Sequence, residues 1–516
     1  MSQPELTCGS VCTTERVFDS SAEQSVELDY FLPDYYPNIF KLLKTSVTPV
    51  IQSRSIDGAR LTFDGVAWIR VLFLAEGSSR ICCVEQKTPF SKTIDLPGLC
   101  SNPTIRITPR CSFANGRAVN PRRLDIRSGI SCRVQVWDQK ELSVLTGGSG
   151  SGLQCHTRTL TFSGPVRTAF RSFVVTEDLE LGSAKPSFGS LLASRCVIIP
   201  TDRKLIANKA VCKGDLTLHL LYQPEDAEAA PETMDFSLPI SQIVDLPGLE
   251  EADFFDFFFE VTGVSIEAKP DGSGENRILN CEFTASLFCS ASRNRELPVV
   301  DDAYSTLYES ELTTCPASTS SVLRTVEQLL TAKNAVDSGS APIARVLDAS
   351  SRFQDAGVKN ENGQFLLCGN LELSALCCGS DGVPFFLEKS LPAELPLFPV
   401  DGKEELAFLP QVSVLSTGYA ILSETRLELQ TELQVNGMLC RPLTLPLLTG
   451  ITLQEDVLKP RDALCALRIC YGEAGDRIWD IAKTYSTSME AVMQENGLNE
   501  EILPGRTMLL IPLIDA

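Results

Sequence analysis

The feature that most constrains this chain is an internal repeat. Pro37-Asn38-Ile39, Leu42-Leu43 and Gly65 return as Pro186-Ser187-Phe188, Leu191-Leu192 and Gly214, each landmark displaced by 149 positions. The match runs on through residues 64–73 against 213–222, and through Ile94-Asp95-Leu96-Pro97-Gly98 against Val244-Asp245-Leu246-Pro247-Gly248. A constant displacement of this kind means that one supersecondary plan is used more than once. A third, more diverged copy begins near Val322, with residues 368–376 as its central strand and Ser390-Leu391-Pro392 echoing Ser237-Leu238-Pro239.

Within the copies, apolar residues alternate with polar ones. Leu427, Leu429, Leu433 and Val435 are separated by Glu428, Gln430, Glu432 and Gln434, the period of a strand with one buried and one wet face. Several such strands per copy predict a mainly β chain built from tandem β-sandwich-like modules. With 516 residues, three to five domains are expected. Boundaries fall at 20–145, 153–292 and 320–453, followed by a smaller unit at 464–516. Gly147-Gly148-Ser149-Gly150-Ser151-Gly152 reads as a flexible linker between the first two copies. It has neither the G-x-G-x-x-G spacing nor the Lys-Ser/Thr of a phosphate-binding loop. Residues 226–232 read as a hairpin loop. Val322, Val326, Leu329 and Leu330 have helical spacing and predict a helix over 318–336.

Charge excludes one class of partner. Asp and Glu number 66 against 45 Lys and Arg, a net −21 that repels polyanions, so no nucleic acid is expected to bind. Met1-Ser2-Gln3-Pro4-Glu5 has no basic or apolar start, and no stretch stays apolar for about 18 residues, so neither a cleaved export signal nor a transmembrane segment is expected. The 19 Cys are scattered, several within strand-like runs such as Cys82-Cys83, Cys212 and Cys377-Cys378. They read as reduced, mostly buried thiols. Cys8 and Cys12 lack the second pair that a metal site needs, and no metal or other cofactor is expected.

Catalysis finds little to work with. His156 and His219 are the only imidazoles, and neither accompanies a Ser or Cys elbow or an H-E-x-x-H helix. His219 lies in a strand run, where a structural role is the expectation. Glu250-Glu251-Ala252-Asp253 reads as a charged loop opening the strand of Phe254-Phe255-Asp256-Phe257-Phe258-Phe259, itself either a core strand or an exposed edge used for assembly. No catalytic residue is assigned, and the chain reads as a non-enzyme.

The texture changes from about Leu464. Asp476 is placed as an N-cap, and Ile478, Ile481, Ala482 and Tyr485 follow at helical spacing. Thr487-Ser488-Met489-Glu490 reads as a capping box for a second helix that stops at Gly497, and Met508-Leu509-Leu510-Ile511-Pro512 as a closing strand. This βααβ order, with Gly475-Asp476-Arg477-Ile478-Trp479, Asn496-Gly497-Leu498, Ile502 and Pro504-Gly505, resembles a LysM domain. The resemblance implies a groove with Gly475, Asp476, Arg477 and Ile478 on one wall and Asn496, Gly497, Leu498, Ile502 and Pro504 on the other. In LysM domains that groove binds N-acetylglucosamine-containing glycan. Arg477 and Gly472 depart from the usual pattern, which makes a protein ligand credible as well. Trp479 reads as packing core rather than a sugar platform.

Tandem repeats with Leu-Pro-Gly strand ends before such a module, together with Pro33-Asp34-Tyr35-Tyr36-Pro37 and Lys213-Gly214-Asp215-Leu216, resemble the SipL-like spore morphogenesis proteins and their SPOCS domains. The resemblance implies a scaffold or tether in spore coat assembly, in the mother-cell cytoplasm at the forespore surface. Its LysM domain would dock to a coat-basement morphogenetic ATPase or another coat protein. Peptidoglycan binding at a cell wall is the alternative, and a LysM-targeted glycan hydrolase a third.

Overall fold

In the computed structural model, residues 4–78, 80–226, 229–400, 405–460 and 465–513 are described, and the alternation of the sequence becomes long antiparallel strands. The first unit comprises β1 (Glu5–Phe31), β2 (Ile39–Asp57), β3 (Arg60–Ala75), β4 (Ile81–Asp95), β5 (Pro103–Asn120) and β6 (Arg123–Ser149). The second runs through β7 (Leu153–Ser163), β8 (Arg167–Glu180), β9 (Phe188–Ile206), β10 (Lys209–Pro224), β11 (Glu232–Asp245), β12 (Phe254–Pro270), β13 (Asn276–Ser292) and β14 (Asn294–Ser305). The third holds β15 (Tyr308–Asp337), β16 (Ile343–Glu361), β17 (Gln364–Gly379), β18 (Pro384–Pro399), β19 (Ala407–Phe408), β20 (Gln411–Ser423) and β21 (Arg426–Leu458).

Each unit is a sandwich of two small sheets. One sheet is β2-β3-β4, β9-β10-β11 or β16-β17-β18; the other is β1-β6-β5, β8-β13-β12, or β15-β21 with β20 beyond it. The central strand shows why the pattern works: in β3, Leu61, Phe63, Ala67, Ile69, Val71 and Phe73 all point into the first core at period two. The diverged third copy follows the same plan, displaced by 155 residues from the second. Gly65, Gly214 and Gly369 mark it. A Cβ there would lie 2.7 Å from the carbonyl of Val50, 2.8 Å from that of Ile199 and 2.6 Å from that of Gln354, equivalent residues on the neighbouring strand. Beside each glycine the ladder skips a register position, so the neighbouring backbone bulges inward and only glycine leaves it room.

The units are woven rather than strung. The far halves of β1 and β6, the pair β7–β14, and the near halves of β15 and β21 form three two-stranded ribbons. These share a trunk core of Val11, Val144, Leu160, Phe162, Val299, Ala317, Leu445 and Leu447. At the other end the units meet again, through Leu72, Leu221 and Leu376 with Leu43, Leu192 and Leu347. These are two sets of equivalent positions, one residue from each copy, as approximate three-fold symmetry requires.

Several expectations are corrected. Residues 318–336 lie in β15, not in a helix: Val322, Val326, Ala332 and Val336 are buried while Leu329 is 68% exposed, and pairing with β21 overrides the helical spacing. Gly147, Gly148 and Ser149 are no linker. They pair with Thr7, Leu6 and Glu5, and only Gly150-Ser151-Gly152 turns, all three with positive φ. The Phe run lies in β12, an edge strand of its sheet: Phe255 and Phe257 enter a core, while Phe258 on the other face is half-buried and stacks on its cross-strand neighbour Phe288 at 4.7 Å.

All 19 cysteines are free thiols. Burial pushes the thiols of Cys83, Cys196 and Cys281 up to about 12, which keeps them protonated and inert.

The C-terminal module is β22 (Leu467–Gly472), α1 (Ile478–Thr484), α2 (Met489–Asn496) and β23 (Thr507–Pro512), the strand-helix-helix-strand order expected. Its own core is Ile478, Ala482, Val492, Leu503, Leu509 and Ile511.

Candidate functional site

Of the groove residues named from the sequence, 475–478 lie at the start of α1 and are joined to 501–503, while Asn496, Gly497 and Leu498 lie at the end of α2. Their roles divide. Ile478 is fully buried in the module core. Asn496 is a clamp: its amide nitrogen donates to the carbonyls of Val492 (2.8 Å) and Leu510 (2.7 Å), and its oxygen accepts from the Leu510 N–H (2.7 Å). Gly497 ends α2 in the left-handed conformation, and the N–H of Leu498 returns to Met493. The two walls are zipped to each other, Gly475 N–H to Leu503 O and Leu503 N–H to Asp476 O, both 2.9 Å, and Ile478 N–H to Glu501 O at 2.8 Å. Exposed at the rim are Gly475, Asp476, Arg477, Gly497, Ile502 (55% exposed) and Pro504.

Two capping assignments change. Arg477, not Asp476, occupies the N-cap of α1, and the Asp476 carboxylate instead accepts from the Glu473 N–H at 2.8 Å. Ser488 caps α2, accepting from the Ala491 N–H at 3.1 Å, while the neighbouring Thr487 hydroxyl is turned inward to the Pro512 carbonyl at 2.7 Å.

No residue pattern announces how the module is held. Trp479 is absent from the module's own core yet only 2% exposed, because α1 lies against the trunk. Its indole N–H donates to Asp302 at 2.7 Å, Lys483 reaches both oxygens of that carboxylate at 2.7 Å, and the Tyr304 ring meets the indole edge-to-face at 4.9 Å. The Tyr304 hydroxyl donates to the Thr487 carbonyl at 2.7 Å. His156 completes the joint, lying 3.2 Å from Arg477 and 2.5 Å from Asp301. Burial pushes the Asp302 carboxyl up, but Lys483 and the Trp479 N–H outweigh it and leave it below the usual range. A register break between Val300 and Asp302 in β14 accompanies this arrangement.

The second histidine also joins units. His219 contacts Asp235 at 2.6 Å and, in the third unit, Asp348 at 3.0 Å, and Arg195 grips Asp348 with two bonds of 2.6 Å. Burial lowers the His219 pKa, but the Asp348 carboxylate more than offsets it and the net shift is upward. Asp253, from the acidic loop, has a side chain 0% exposed between Arg167 (2.6 Å) and Arg293 (2.5 Å). Among the described residues no group of three or more His, Cys, Asp and Glu side chains is placed to hold a metal ion.

The repeats match a known domain family. Residues 38–114 and 189–269 match the family model described as SipL, SPOCS domain. The chain carries two SPOCS domains of the SipL type. The matched segments span β2 to β5 and β9 to β12, leaving out the ribbons and the whole third unit, which nevertheless shares the SPOCS topology strand for strand. SPOCS is a non-catalytic domain family, and its link is to sporulation. No curated protein and no solved structure matches the chain. Among the described residues no helix is long and apolar enough to cross a membrane.

Proposed function

We propose that this SPOCS protein is a non-enzymatic scaffold of spore coat assembly that works in the mother cell at the forespore surface. Its βααβ module, read as a LysM domain, docks to a coat-basement morphogenetic ATPase or another coat protein. The observation that carries the reading is the combination of SPOCS repeats with a module gripped on its α1 face and open at the Ile502–Pro504 rim. A module fixed in orientation presents its rim without paying again for its own ordering, and each further contact from the same chain acts at high effective concentration.

A protein ligand is favoured over a sugar because the backbone groups of Gly475, Asp476 and Ile478 already bond within the module. A fluorescent fusion should gather at the forespore during sporulation, and Ile502→Asp should leave it diffuse. Strong retention of the full chain by purified peptidoglycan, lost in the same variant, would turn the reading to a wall glycan instead.

A further inference from the structure

Cysteine is common in this chain, yet its thiols rarely meet. Among the described residues, the one thiol pair in hydrogen-bond contact is Cys212 with Cys289, their sulfurs 3.8 Å apart. Cys212 lies in β10, the middle strand of one sheet of the second unit, and Cys289 in β13, the middle strand of the other. The two meet across the sandwich, in a core shared with Ala210, Phe255, Phe257 and Leu287. Neither reaches solvent: Cys212 is 0% and Cys289 3% exposed.

The other two units show that packing does not require sulfur at these places. The displacement of 149 carries Cys212 back to Phe63, and that of 155 carries it forward to Leu367, both buried. The ladders fix the equivalents of Cys289: it pairs with Ala169, as Val134 pairs with Ser20 and Gly437 with Val326. The first and third units therefore fold with hydrocarbon or glycine where the second sets two thiols against each other.

We propose that Cys212 and Cys289 form a disulfide when the protein meets a peroxide, stapling the two sheets of the second unit together. A disulfide bond is about 2 Å long, so the sulfurs have less than an atom's width to close. One sulfur attacks the peroxide, the O–O bond breaks, and the released hydroxide leaves as water with the thiol proton; the product is a sulfenic acid. The second sulfur then displaces that hydroxyl, the S–S bond forms, and a second water carries off the second thiol proton. Two thiols are oxidised by two electrons in all, and one hydrogen peroxide is reduced to two waters.

The contact with Cys212, together with burial, pushes the Cys289 thiol up and holds it protonated, so the reaction is slow. Once made, the link is as sheltered from reductants as the thiols were from oxidants. It ties β10 to β13 with β11 and β12 between them. β10 also carries Leu221 of the apex and His219, which meets Asp348 of the third unit. The staple therefore stiffens the strand through which the second unit grips its neighbour.

The test uses the full chain, reduced, freed of reductant and treated with hydrogen peroxide, then alkylated after denaturation and digested without reductant. One peptide pair joining Cys212 to Cys289 is expected, short of two hydrogens. Hydrogen exchange in β10 and β13 should slow by about tenfold, with β22 and β23 of the C-terminal module unchanged. Cys289→Ala should abolish the pair and the slowing together. Should that variant not fold, the parent decides alone: slowing must grow in step with the pair as exposure to peroxide is lengthened. Full alkylation of both cysteines after treatment, oxidation of each without a pair, a pair that forms only in urea, or a pair that leaves β10 and β13 exchanging as before would overturn the proposal.

Discussion

The three SPOCS-like units and the C-terminal module are attached by opposite means. The units share apolar cores at both ends, built from the same position in each copy, and their strands cross from sandwich to trunk without interruption. The module has a closed core of its own and touches the trunk through a polar and aromatic set: the Trp479 indole, Lys483, Arg477 and the Thr487 carbonyl meet Asp302, Tyr304 and His156. Shared apolar cores make the units rise and fall together. A polar and aromatic joint can be released without unfolding either side.

Four measurements bear on that contrast. Leu221→Ala at the apex should cost the most, about 4 kcal/mol, and hydrogen exchange should show protection falling in β3, β10 and β17 together. Loss confined to β10 would mean that the units are independent after all. Trp479→Ala should cost about 3 kcal/mol of docking while the unfolding midpoint of the trunk stays put. Limited proteolysis should then cut between β21 and β22, and an unfolded trunk would break the comparison.

Asp348→Asn is expected to remove about 2 kcal/mol, followed by urea unfolding, since it strips Arg195 and His219 of their shared partner. It should also flatten a pH dependence. The folded pKa of His219 is raised, so its contribution is complete below about 6.5 and fades as the pH climbs through the folded value. Least is expected from acidification at the joint. The depressed Asp302 carboxyl contributes above its unfolded pKa of about 4 and loses its effect as the pH falls through the lower folded value, so protease access to the same segment should rise only in that range.

What could be read beforehand follows the same division. Alternation and the 149-residue displacement are local and repetitive, and they disclosed the strands and the SPOCS resemblance; Leu43, Leu192, Leu72 and Leu221 stood in the repeat, but their meeting at one end of the units did not show. β15 was misread because its apolar residues coincide with helical spacing over one stretch, and only β21, more than a hundred residues away, decides otherwise. The joint was invisible because Asp302 and Tyr304 look like any polar strand residues until α1 is laid on them. Glycine misled as well: Gly148 lies in a strand, paired with Leu6, where composition reads looseness.

The ribbons bear on how the polypeptide is made. Tyr308 finds its partner at Leu458 and Glu5 at Ser149, so no ribbon closes until its whole unit has left the ribosome. Until the last return strand appears, the first two ribbons hold their greasy inner sides, Val144, Leu160 and Val299 among them, toward water. A nascent chain halted before β21 is therefore a substrate for chaperones and a seed for clumping.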